Sequence, residues 1–284
     1  MSKESSKTNK PAAVKPKVGG AKSASNPIVL TRPSNKLEAF IKLFGVVLLG
    51  FLLFFIGQIA APLVVVIGLR IAGNDTDQIE ALFQDNIAVQ LGLTALIAGI
   101  ITLAIWKLLR WRGHDPRSFL LLNKRPNKGE LLEVVLAYGV YFITLLLATF
   151  GLAALEYILS PETPLIDLNQ SQDLGLATTA GSGLWLVFVM LVIIPPIFEE
   201  IFFRGFLYRY LSGFGGKVIG VLLTSILFGI AHLEFGSLNW IAAIDTFIFS
   251  IFLIYISHKH QSLYSAILLH AMKNGIAFYV LFLR

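Results

Sequence analysis

The residues with the greatest chemical capacity in this chain sit inside its most apolar stretches. Glu199, Glu200 and Arg204 interrupt the run Ile-Phe-Glu-Glu-Ile-Phe-Phe-Arg; His232 closes Phe-Gly-Ile-Ala-His from Phe228; His270 and Asn274 bound His-Ala-Met-Lys-Asn. Each ionisable group in hydrocarbon costs on the order of 2.5 to 3.5 kcal/mol even on the mildest insertion scales, so each needs a reason. A carboxylate beside apolar walls binds a proton more readily than one in water, which suits a general base acting on a water molecule. Glu199 is the candidate base. His232 then holds that water, or ligates a divalent metal such as zinc that polarises it, while His270 and Asn274 offer donors to an oxyanion formed at a carbonyl. A metal-free, glutamate-activated water is the slightly preferred version, since no His-Glu-x-x-His spacing is present.

Helical spacing gives these motifs a shape. Glu200 and Arg204 are four apart and share a face, while Glu199 points about 100° away, so one glutamate is neutralised and the other left free. His270 and Asn274 are also four apart, and their side chains can converge on one object beside the helix. Leu211-Ser-Gly-Phe-Gly-Gly216 reads as a turn between antiparallel helices. Glu199 lies about fourteen residues before it and His232 about sixteen after it, so both sit about 21 to 24 Å from the turn, nearly level. Plainer readings exist for each part. A buried Glu-Arg pair is often a packing device, and a lone membrane histidine is more often an interhelical hydrogen bond than a catalyst. The conjunction on three helices favours a site. Asp245 is a further candidate; His114, His258 and His260 fall in loops and read as surface residues. Ser225 lies two turns from His232 on the same helix, with no serine-histidine-acid pattern around it.

The elements that must position these groups are helices in lipid. The 284 residues are 56% hydrophobic and only 14% charged, with a mean hydropathy of +0.75, too apolar for a soluble domain of this length. Apolar runs recur at Leu43 to Leu69, Ile87 to Trp106, Val134 to Leu155, Leu184 to Tyr210, Val218 to Ala231, Trp240 to Ile256 and Leu263 to Leu283. They predict about seven spans of an all-α polytopic bundle, because they lack the alternation of barrel strands. Residues 1–36 form a basic, Ser/Ala/Pro/Gly-rich tail expected to be disordered; an organellar transit sequence fits the same composition. Residues 37–182 are expected to hold the N-terminal helices and loops, and 183–284 the catalytic core.

Cysteine is absent, which removes thiolate metal sites and thiol nucleophiles. The net charge of +6 gathers in the tail and in the connection carrying Lys107, Arg110, Arg112, Arg117, Lys124, Arg125 and Lys128. Anionic lipid headgroups are therefore the nearer partner, not nucleic acid. The other connections carry Asp75, Asp77, Glu80 and Asp85, then Glu162, Asp167 and Asp173. The basic side, with the N-terminus, is expected in the cytoplasm of a cell bounded by this inner membrane. A reentrant segment at Pro195-Pro196 would alter the later topology.

Together the Glu-Glu-x-x-x-Arg of Glu199 to Arg204, the Phe-x-x-x-His of Phe228 to His232 and the His-x-x-x-Asn of His270 to Asn274 resemble the three motifs of the CPBP family. That family comprises type II CAAX prenyl proteases and the bacterial Abi, bacteriocin-processing relatives. The match runs in the family's order from Leu184 to Leu283. It implies an intramembrane endopeptidase acting on a membrane-associated protein or peptide, with Glu199 activating water, His232 helping to hold it and His270 with Asn274 supporting the oxyanion. Two rivals remain: a non-catalytic immunity, scaffold or assembly factor that uses the cluster for packing, and a transporter with a proton relay.

Overall fold

In the computed structural model, residue 30 and residues 32–159, 183–233 and 240–284 are described. The expected disordered tail lies outside them up to residue 29, as does the acidic connection with Glu162, Asp167 and Asp173. Every element among the described residues is a helix: α1 (Lys36–Ile71), α2 (Thr76–Asp85), α3 (Ile87–Trp111), α4 (Lys128–Leu159), α5 (Gly183–Gly215), α6 (Lys217–Ile230), α7 (Trp240–His260) and α8 (Leu263–Phe282), with one further turn at Pro116–Phe119. Six of them, α1, α3, α4, α5, α7 and α8, are long and apolar enough to cross a membrane. The seventh expected run is α6. It is apolar but shorter, 14 residues or about 21 Å, so about seven spans is consistent with the structure. The chain is a multi-pass helical membrane protein.

Local sequence sets the helix limits. Asn35 accepts from the Glu38 amide at the start of α1, Asp75 and Gln78 form a reciprocal capping box on α2, and the Asn86 side chain accepts from the Ala88 and Val89 amides at the start of α3. Gly216, at φ +85°, makes the tight reversal between α5 and α6 that side chains resist. That hairpin then packs closely. A Cβ on Gly220 would lie 2.8 Å from the Ser212 Cα, and one on Gly229 would lie 2.8 Å from the Ala243 carbonyl oxygen of α7.

The helix α5 runs unbroken through Pro195-Pro196, so no reentrant loop forms there. It changes pitch instead: Val189–Ile193 and Ile201–Leu207 wind as π-helix on either side of the prolines. Neither proline has an N–H to give, so the Leu191 carbonyl loses its donors from residue 195 (α spacing) and residue 196 (π spacing). The Asn274 side chain of α8 supplies the missing donor, Nδ2 to the Leu191 oxygen at 2.9 Å. One amide thereby joins α8 to the irregular point of α5.

The main core gathers Phe202, Phe203, Phe206, Leu207 and Leu211 of α5 against Ile101, Ile105 and Leu109 of α3 and Phe228 of α6. A second core joins Val134 and Tyr141 of α4 to Phe249, Leu253 and Ile256 of α7 and Ala266 and Leu269 of α8. The polar residues lie between the two.

Candidate active site

Glu200 is fully buried on α5, and one of its oxygens, Oε1, takes two partners. Arg204 donates from Nη1 at 2.9 Å, one turn along the same helix, and His270 Nδ1 on α8 lies 2.9 Å away. The Arg204 guanidinium also caps the Phe228 ring, 4.2 Å from its centroid. The same oxygen accepts from the guanidinium on one side and has His270 Nδ1 placed to donate from the other. Phe228 and Phe249 wall that imidazole edge-on, at 6.0 and 5.6 Å.

His232 is fixed in the same manner from its own side. It follows the end of α6, where its Nδ1 lies 2.8 Å from the Phe228 carbonyl oxygen. A carbonyl has no proton to give, so Nδ1–H donates and Nε2 is left facing inward. Its ring packs at a tilt against Phe228, with centroids 4.6 Å apart.

Glu199 completes the arrangement. Its Oε2 lies 3.9 Å from Nε2 of His232 and 3.9 Å from Nε2 of His270, and it is buried without a hydrogen-bond partner. A carboxylate oxygen thus faces two imidazole nitrogens across a gap too wide for direct bonds. An oxygen about 2.8 Å from both ends of either gap would subtend roughly 90°, close to what a water molecule accepts. For a tetrahedral zinc with bonds of about 2.0 to 2.1 Å, the donors would stand about 3.3 Å apart. The observed separations exceed that, and no group of three His, Asp or Glu among the described residues is placed to hold a metal. The donor set does not fit the zinc alternative.

The structure therefore brings Glu199, Glu200, Arg204, His232 and His270 into one cluster on α5, α6 and α8. Asn274 lies one turn beyond His270, with one amide hydrogen engaged by Leu191 and the other not. The expected convergence of His270 and Asn274 on one object is looser than their spacing suggests, because each has its own partner on α5. Asp245 stands apart from Glu199: it accepts from Lys273 Nζ at 2.7 Å and from the Tyr141 hydroxyl, tying α4, α7 and α8 together beside the cluster. The sequence alone singles out neither Lys273 nor Tyr141. Lys273 adjoins Asn274 in a marked motif, a signal that was open to reading; Tyr141 carries none.

One expectation about histidines fails. His260 is no surface residue but is 4% exposed, with Nε2 2.8 Å from Glu133 and Nδ1 3.0 Å from Ser265. It is the last residue of α7 and not a loop residue, and its partners lie across the α7–α8 turn and on α4, far from it in sequence. His258 is exposed as expected but lies on α7, not in a loop, and His114 is half-buried against Phe119.

A membrane helical bundle enclosing a buried Glu-Glu-Arg and paired-imidazole cluster defines a class, and the comparisons narrow it. Residues 181–276 match the family model described as type II CAAX prenyl endopeptidase, Rce1-like. The resemblance carried by the three motifs is thereby borne out over that stretch. A stretch of 90 residues is 28% identical to the UPF0177 protein YbdI of Lactococcus lactis subsp. lactis (strain IL1403), covering 32% of this chain and 46% of the relative. The chain thus spans about half the length of that curated relative. No solved structure matches it.

Proposed function

We propose that this protein is an intramembrane endopeptidase that hydrolyses a peptide bond of a membrane-associated protein or peptide with water activated by Glu199. The observation that carries the reading is the orphaned Oε2 of Glu199, buried and aimed at two imidazoles whose far nitrogens are already fixed. A buried carboxylate oxygen without a partner is costly to keep, and a water to be deprotonated is the partner it suits. Glu199 takes a proton from that water as the oxygen attacks the carbonyl carbon, and later returns it to the leaving amine. His232 Nε2 accepts the water's second hydrogen and orients it. His270, fixed by Glu200, and the free amide hydrogen of Asn274 support the developing oxyanion. The family match over residues 181–276 supports peptidase chemistry; a prenylated substrate is not needed for the geometry to work. The excess of Lys and Arg in the N-terminal stretch and in the second connection supports a cell-membrane location with that side in the cytoplasm.

The test is comparative proteomics of membrane peptides from cells carrying wild type or Glu199→Gln. The variant is expected to fold, because the amide is nearly the same size, and to leave uncleaved a substrate that wild type removes. If it processes that substrate at the wild-type rate, the cluster is a packing device and the protein a membrane scaffold or assembly factor.

A further inference from the structure

We propose that the basic-loop end of the bundle holds a specific site for the phosphate headgroup of an anionic phospholipid. A cavity of about 940 Å³ opens there between the N-terminal end of α1, the α5–α6 hairpin and the C-terminal end of α7. Six cationic or imidazole side chains line it, Arg32, Lys36, Arg204, Arg209, Lys217 and His258, and no aspartate or glutamate does. Glu199, His232 and His270 are not among its walls. The ion pairs of the described residues all lie elsewhere, apart from Arg204 with Glu200, so Arg32, Lys36, Arg209 and Lys217 face the cavity without an acidic partner. Arg204 closes the inner wall. It is 1% exposed, and its Nε and Nη2 have no hydrogen-bond partner.

Four unpaired cations around one void repel one another, and an anion offsets that repulsion through charge-assisted hydrogen bonds. This chain's own tail is no candidate occupant, since residues 1–29 hold six lysines and a single glutamate. What selects a lipid over a free anion is the surface next to the charges. Leu37 and Phe40 adjoin Lys36 on α1, and Val218 adjoins Lys217 on α6; they are 68%, 65% and 72% exposed. A headgroup in the cavity leaves its acyl chains against these apolar side chains, where a free phosphate has nothing to gain. The inference does not depend on peptidase activity.

The test uses the purified full chain in a neutral detergent and measures binding of dihexanoyl phosphatidylglycerol by calorimetry and native mass spectrometry. Dihexanoyl phosphatidylcholine, inorganic phosphate and an acidic peptide are the comparison ligands. Phosphatidylglycerol is expected to bind one to one. The triple variant Lys36→Gln, Arg209→Gln, Lys217→Gln should weaken it about tenfold or more, the scale of losing one charge-assisted contact. Lys107→Gln, Arg110→Gln, Lys128→Gln removes the same charge from the same side outside the cavity, and should change affinity by less than about threefold, the diffuse part of the attraction. Lys217→Glu alone guards against misfolding, because an acid at a helix N-terminus favours the fold, and it too should weaken binding. Equal losses in the two triple variants overturn the site. So does phosphatidylcholine binding as tightly as phosphatidylglycerol. Inorganic phosphate or the acidic peptide binding as tightly as the lipid overturns the lipid assignment.

Discussion

Replacing Glu200 by glutamine should destabilise the protein more than almost any other change of one side chain, and the structure sets the size. Glu200 is 0% and Arg204 1% exposed, and the carboxylate holds both the guanidinium and the His270 imidazole through one oxygen. Breaking a buried pair from one side typically costs about 3 to 5 kcal/mol, because the remaining charge has neither water nor partner. The Phe228 ring, 4.2 Å from the guanidinium, recovers about 0.5 to 2 kcal/mol of that. Glu200→Gln should therefore cost about 1 to 4.5 kcal/mol. Arg204→Met leaves Glu200 its His270 donor and should cost somewhat less. Combining the two removes both charges, so the double variant should be less damaging than the summed singles by about 2 kcal/mol, within the usual range of coupling between contacting residues. Reversible unfolding in mixed detergent-SDS micelles, followed by tryptophan fluorescence, measures all three. If the double variant lies within about 0.5 kcal/mol of additivity, the pair is not the coupled buried unit described above.

Three further outcomes follow from the packing. Asn274→Leu strands the Leu191 carbonyl and should cost about 1 to 3 kcal/mol; adding Pro195→Ala restores a helical N–H to that oxygen and should recover part of the loss, which the same unfolding assay reads. Gly229→Ala drives a methyl to within 2.8 Å of the Ala243 carbonyl oxygen and should cost about 1 to 3 kcal/mol, whereas Gly139→Ala, which meets open space, should not lower stability. Asp245→Ala releases Lys273 and Tyr141 together, so it should cost more than Tyr141→Phe, whose lost hydrogen bond is worth about 1 kcal/mol.

The cluster was legible because its residue types are out of place and helical geometry is strict. The level depths read from the turn at Leu211 to Gly216 put Glu199 opposite His232, and the side chains do meet across 3.9 Å. The shared face of Glu200 and Arg204 likewise follows from four-residue spacing, and survives even where α5 winds as π-helix. The pitch itself was not legible: all apolar positions around Ile201 to Leu207 are buried, so hydrophobic periodicity cannot tell 3.6 residues per turn from a wider winding. Long-range partners were hidden for a different reason. His260 finds Glu133 across 127 positions and Asp245 finds Tyr141 across 104, and nothing in either local stretch encodes the other. The doubled proline signals an irregular point, read from sequence as a place for a reentrant segment, and the helix instead continues through it. What could not be foreseen is that an amide 83 positions away would mend it.

Polar groups in a bilayer are tolerated when they satisfy one another, and the distribution of exceptions here is uneven. Of the buried side-chain atoms without a partner among the described residues, three are hydroxyls, on Thr224, Ser225 and Ser250. A hydroxyl of that kind can turn to a carbonyl of the preceding helical turn at small cost. The other four belong to Glu199, Glu200 and Arg204. Charged groups have no such local refuge, so leaving them short is expensive in proportion to how dry the site is. Helix packing alone would be served as well by neutral amides, or by apolar side chains of similar volume, without that penalty. The unmet capacity also lies in order along one line: Arg204 backs Glu200, Glu200 holds His270, and the line ends at a carboxylate oxygen facing two imidazole nitrogens. Glu200 and Arg204 each keep at least one hydrogen bond within this line, whereas the Glu199 Oε2 has none, and that difference is what supports the proposed placing of a water beside it.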